Sequence, residues 1–116
     1  MRHQMKKVTL DRKAAPRKAL LMSLATSLIL YEKITTTKAK AKATRSLVER
    51  LVTKAKGNTL VSRRDLMTFL RSKNAIKKML EVLGPRYVAR QGGYTRIINL
   101  GNRKGDGAET AVIEFV

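Results

Sequence analysis

The chain has 116 residues and carries 26 Lys plus Arg against 8 Asp plus Glu, a formal net charge of +18 at pH 7. Pairing every acid would leave most bases free, and self-repulsion at that charge is usually tolerated because a polyanion neutralises it. At 43% hydrophobic the chain is too apolar for a basic disordered tail, and with no cysteine it has neither a disulfide framework nor a thiolate metal site.

Residues 1–15, MRHQMKKVTLDRKAA, show almost no apolar periodicity and many bases, which predicts an extended basic arm that orders on binding. Residues 16–116 are expected to form a single domain. From Pro16, suited to a first helical turn, Leu20, Leu21, Leu24, Leu28 and Tyr31 recur at helical spacing, so a helix is predicted to about Glu32 with Tyr31 in the core. The apolar run from Ala19 to Tyr31 is interrupted by Ser23, Thr26 and Ser27 and is too short to span a bilayer. Asp11, Arg12, Lys13, Arg17 and Lys18 separate it from the basic start, so no targeting segment is expected.

Ile34 to Thr37 is a β-branched run that disfavours helix and can form one brief strand. Thr36 or Thr37 can cap a second helix, in which Ala43, Leu47, Leu51 and Ala55 form a stripe with Val48 and Val52 beside it. Lys38, Lys42, Arg45 and Glu49 are expected to face away, and Gly57-Asn58 is the stop. Two further helices are predicted, at about Val61 to Ser72 and Ala75 to Leu83, with Ser72-Lys73-Asn74 between them. Gly84-Pro85 is expected to end the helical region.

The period then changes from 3.6 to 2. Tyr94 to Leu100 and Ala111 to Val116 read as a β-hairpin around the turn-rich loop GNRKGDG. The predicted fold is α+β: a two-layer α/β domain in the order helix, short strand, three helices, β-hairpin, with the extended basic N-terminal arm in front.

Catalytic materials are scarce. His3 is the only histidine, which excludes a histidine metal site or a histidine-supported triad. The eight carboxylates are scattered, and Gly105-Asp106-Gly107 lacks the third glycine and the strand and helix of a dinucleotide fingerprint. No enzyme activity, cofactor, metal or small-molecule substrate is expected.

The bases fall into four clusters. The arm holds Arg2, His3, Lys6, Lys7, Arg12, Lys13, Arg17 and Lys18. The start of the second helix holds Lys38, Lys40, Lys42 and Arg45, which cannot all point one way. Arg63 and Arg64 form the third, and Arg86, Arg90, Arg96, Arg103 and Lys104 the fourth. The stretch RYVARQGGYTRI contains no carboxylate at all, so its charge is expected to find its counter-ion outside the chain. Gly92-Gly93 either lets the backbone approach a sugar-phosphate chain or simply turns the chain before the strand. Tyr87 and Tyr94 are the candidates for base stacking, but aromatics at 4% make a stacking platform poorly supplied. Clusters spread over arm, helices and loop imply phosphate on several sides, read by backbone and shape, which suits folded RNA. Duplex DNA and a membrane surface fit less well.

In sequence order, MRH, RKALLMSLATSLI, KITTTKAKAKATR, the Arg63-Arg64 pair, PRYVARQGGYTRI and, after RKGDGA, a terminal AVIEFV run along nearly the whole chain. In combination these pieces resemble the bacterial large-subunit ribosomal protein seventeen family. Departures from the family pattern are Pro16-Arg17 in place of a His-Arg pair and Met22-Ser23 in place of an Arg-Asn pair. The resemblance implies a structural component of the large ribosomal subunit, cytoplasmic in the ribosome. It would bind and stabilise large-subunit (23S-type) ribosomal RNA on the solvent side near the polypeptide exit tunnel, beside neighbouring large-subunit ribosomal proteins and with no membrane partner. Carried over by position, it implies RNA contacts for Arg2, His3, Arg12, Arg17, Arg86, Arg90, Tyr94 and Arg96.

Overall fold

A computed structural model of the chain describes Leu10 and residues 12–116. Arg2, His3, Lys6 and Lys7 therefore lie outside the described residues.

Helix α1 spans Ala14–Tyr31 and ends where Glu32 takes a left-handed conformation (φ 61°) and donates its N–H to the Leu28 carbonyl. That single residue turns the chain directly into strand β1, Lys33–Thr37. Helix α2, Lys38–Lys56, follows at once, with the Thr37 hydroxyl accepting the Lys40 N–H, and it stops at Gly57, with Asn58 in the left-handed region. Thr59 caps α3, Leu60–Phe69, and Ser72 caps α4, Lys73–Lys78.

Helix α4 does not stop at Gly84-Pro85, as the sequence suggests. It widens into a π turn, Met79–Leu83, in which the Gly84 N–H reaches the Met79 carbonyl, and then makes a last turn, Gly84–Arg86. Proline is excluded from helix interiors because it lacks an N–H and clashes with the carbonyl four residues back. Entering just after the widened turn, near the start of a fresh short turn, it is tolerated.

Strands β2, Thr95–Asn102, and β3, Glu109–Phe115, close the chain. The sheet is antiparallel in the order β1-β3-β2, so the last strand is central and the hairpin and early strand make the three strands expected. Ile34, Ile113 and Ile97 stand side by side on the face toward the helices, whereas Lys33, Glu114 and Arg96 share the opposite face.

Helix α2 is the hub of the packing, touching α1, α3, α4 and all three strands. Leu47, Val48, Leu51, Val52 and Ala55 are buried on it as the stripe requires. In α1 the buried face is Met22, Ala25, Leu28 and Ile29, and Tyr31 is 73% exposed, so the core assignment of Tyr31 is corrected. The helix carries apolar residues nearly all round, so contact with α2 and α4 rather than the pattern itself selects its inner face.

Candidate nucleic-acid interface

The arginine-rich segment at the end of α4 does find acids, but from distant parts of the chain. Glu32 accepts from Arg86 and also pairs with Lys78 at 3.0 Å. Lys78 in turn donates to the Leu30 carbonyl at 3.0 Å, so it ties α4 to the end of α1. Hydrogen bonds from Arg86 and then Lys78 hold the Glu32 carboxyl down at about 2, and the Glu32 carboxylate in turn raises the Arg86 guanidinium above its already high ordinary value. Arg96 pairs across the sheet with Glu114 at 3.0 Å, and Arg103 closes on Asp106 within the hairpin loop. The expectation that this charge lacks internal partners is thereby corrected for Arg86 and Arg96, whereas Arg90 has no ion pair among the described residues. The acids were absent from the stretch because the fold supplies them from α1, β3 and the loop.

Glu49 also departs from the expected outward position. Its two oxygens accept the backbone N–H groups of Gly93 (3.0 Å) and Tyr94 (2.9 Å). Gly92 and Gly93 have φ of 75° and 64°, a left-handed pair that glycine adopts without strain. The pair turns the chain before the strand, and the Gly93 N–H is occupied by Glu49. The sequence did hold a signal for Glu49: it is the only carboxylate in α2 and stands next to Val48 on the edge of the apolar stripe.

Tyr94 is 1% exposed and Tyr87 is 3% exposed, their ring centroids 5.3 Å apart. The Tyr94 hydroxyl meets Thr53 and accepts from Lys56 at 2.9 Å, which draws the phenol below its ordinary 10.0. Lys56 also donates to the Arg90 carbonyl. The Tyr87 hydroxyl donates to the Val116 carbonyl at 2.7 Å. Both rings are core, so neither stacks on a base in this conformation, and a direct RNA contact by Tyr94 is corrected to support of the turn that carries Arg90.

The other candidate bases point outward. Arg12, Lys13 and Lys18 are exposed at the start of α1, and Arg17, half-buried, donates to the Arg12 carbonyl. Lys38, Lys42 and Arg45 line one hollow beside β2, whereas Lys40 lies off that line. Arg63 and Arg64 are exposed on α3, Arg90 is exposed next to Gly92 and Gly93, and Lys104 tips the hairpin loop. Of the described bases, only Lys38, Lys78, Arg86, Arg96 and Arg103 form ion pairs with described carboxylates. None of α1, α2, α3 and α4 has an acid in its first turn. Among the described residues no cluster of three or more His, Cys, Asp or Glu could hold a metal, and no helix is long and apolar enough to cross a membrane.

A small α+β domain in which Glu32, Glu49, Asp106 and Glu114 are taken up by its own side chains and backbone, and whose other bases largely face outward on several sides, belongs to the class of basic scaffold proteins that meet a polyanion over much of their surface. Comparison with known proteins defines it further. Residues 20–116 match the family model of ribosomal protein L17. A large ribosomal subunit protein bL17 from Hydrogenobaculum sp. (strain Y04AAS1) is 54% identical, with 100% of this chain and 99% of that protein covered. Its namesake from Solibacter usitatus (strain Ellin6076) is 53% identical over 100% of this chain and 77% of the relative, and that from Rickettsia bellii (strain OSU 85-389) 49% over 100% and 82%. The chain belongs to the ribosomal protein L17 family, and its place in the cell is the ribosome.

Proposed function

We propose that this chain is a structural constituent of the large ribosomal subunit that binds and stabilises large-subunit ribosomal RNA through phosphate and shape contacts. Its place is on the solvent side near the polypeptide exit tunnel, among neighbouring large-subunit proteins. The observation that carries the RNA reading is the excess of exposed bases without an ion pair among the described residues, among them Lys42, Arg45, Arg63, Arg64, Arg90 and Lys104, which are spread over two helices, a turn and a loop. Helix N-termini favour negative charge, yet here the first turns of the four helices hold none, and that of α2 opens with Lys38 and Lys40. An external polyanion satisfies all of these at once.

Contact by phosphate and shape, rather than by base stacking, follows from the aromatics. Tyr87 and Tyr94 are buried, which leaves Tyr31 as the one strongly exposed aromatic among the described residues, too few for a stacking platform. The test is sedimentation of cell extract on sucrose gradients with detection of this chain, at low and then at higher salt. Co-migration with the large subunit that survives moderate salt is expected. A chain that stays at the top of the gradient, or follows chromosomal DNA, overturns the reading.

A further inference from the structure

A trough of about 660 Å3 runs between the N-terminal half of α2 and the inward face of β2. Lys38, Lys42 and Arg45 line one wall at positions i, i+4 and i+7, which lie on one face of a helix. Ile97 and Asn99, alternate residues of β2, form the other wall. The hollow continues past Lys38 and Asn99 toward Gly101 and Thr110.

We propose that this trough seats a single unpaired RNA nucleotide together with its flanking phosphates. The inference rests on the RNA-binding reading above and specifies the form of RNA that enters. From Lys38 to Arg45 the helix rises about 10 Å, which spreads three cations along a strand rather than around one ion. The lysines act as point charges for phosphate, and the planar guanidinium of Arg45 can stack on a base or fork onto a phosphate. Asn99 is exposed and brings both a donor and an acceptor, the equipment needed to read the edge of an unpaired base. Ile97 gives that base an apolar wall. An A-form duplex keeps its base edges in a deep major groove and a shallow minor one and cannot place one between a packed helix and strand.

Two carboxylates border the trough and neither closes it. Glu49 spends both oxygens on the Gly93 and Tyr94 N–H groups. Glu109 lies 3.9 Å from Lys38 with its side chain 67% exposed, a loose surface pair that a phosphate can displace.

The test uses the full chain and fluorescence anisotropy with a short unstructured single-stranded RNA and a blunt duplex of the same sequence. The triple variant Lys38→Ala, Lys42→Ala, Arg45→Ala is expected to lose about tenfold or more in strand affinity and to flatten the log–log salt slope by roughly 2, at about 0.7 per phosphate contact. Its duplex affinity should fall much less, and circular dichroism establishes that it folds. Arg45→Lys and Asn99→Ala, which keep the three charges, should weaken strand binding with the slope unchanged. Equal losses for strand and duplex, an unchanged slope in the triple variant, or displacement of the strand by an acidic peptide as readily as by RNA of equal charge would each overturn the trough. If the unaltered chain binds neither RNA, the ribosomal RNA reading falls first.

Discussion

Glu49 and Tyr94 are joined by a backbone hydrogen bond of 2.9 Å from the Tyr94 N–H to one carboxylate oxygen, while the other oxygen holds the Gly93 N–H at 3.0 Å. One α2 side chain thus satisfies two donors of the turn that leads into β2. Hydrogen bonds to a charged acceptor contribute roughly 1.5–3 kcal/mol, so Glu49→Ala is expected to cost about 2–3 kcal/mol in urea unfolding. Glu49→Gln keeps one carbonyl oxygen but turns an amide toward the other donor, and should cost about half as much. An alanine variant within about 0.5 kcal/mol of the parent would show that the turn holds without Glu49.

The Glu32 ion pairs make acid sensitivity a local property. The carboxyl sits at about 2 in the folded chain against an ordinary 4.5, because Arg86 and then Lys78 hydrogen-bond its ionised form. A folded value below the unfolded one means that the stabilisation is complete above about 4.5 and is lost as pH falls toward about 2. The side chains of Glu32 and Arg86 are each 37% exposed, so solvent screening reduces the contribution to about 1 kcal/mol. Glu32→Gln should lower the unfolding free energy by that amount at pH 7, and the gap should close between pH 4.5 and 2. A gap constant with pH would assign the loss to packing instead.

Local chemistry was legible in the sequence where it decided the element. Thr37 at the start of α2 and Ser72 before α4 act as their residue types predict, α2 stops at Gly57-Asn58 with the asparagine rather than the glycine in the left-handed region, and the change of period after residue 85 marks the hairpin correctly. What the sequence hid depends on partners far along the chain. Tyr31 shares its helix with too many apolar neighbours for spacing alone to choose the inner face. The partners of Arg86 and Arg96 lie 54 and 18 residues away, so an acid-free stretch looked unpaired. The acceptors of Lys78, Leu30 and Glu32, likewise belong to a distant part of the chain.

At Gly84 the last turn that continues α4 packs closely against the backbone of α2. A Cβ there would lie 3.0 Å from the Ala55 carbonyl oxygen and 3.1 Å from that of Met79, both backbone atoms. Neither can rotate away, so Gly84→Ala requires α2 and the π turn each to give by a few tenths of an ångström, at about 1–3 kcal/mol. The clash is with a carbonyl, so Ala55→Gly should not rescue it. A thermal melt of the single and double variants checks this, and full rescue by Ala55→Gly would mean that the side chain rather than the backbone of residue 55 sets the spacing.

Arg90 and Tyr94 separate binding from support in the segment richest in arginine. Arg90 is exposed and free of an ion pair among the described residues, whereas Arg86 and Arg96 are each held by a carboxylate. Arg90→Ala is therefore expected to leave stability nearly unchanged while flattening the log–log salt dependence of ribosomal RNA binding by about 0.7–0.9. Arg86→Ala should act in the other sense, costing about 1 kcal/mol of stability because it strips Glu32 of its main partner. Tyr94→Phe removes a hydroxyl bonded to Lys56 and Thr53 and should cost about 1 kcal/mol with no change in the salt slope. Filter binding across a salt series, run beside urea unfolding for the three variants, gives both readouts. If Tyr94→Phe changes the slope and Arg90→Ala does not, the buried tyrosine reaches the RNA through a rearranged turn, and the division between outward bases and inward support fails.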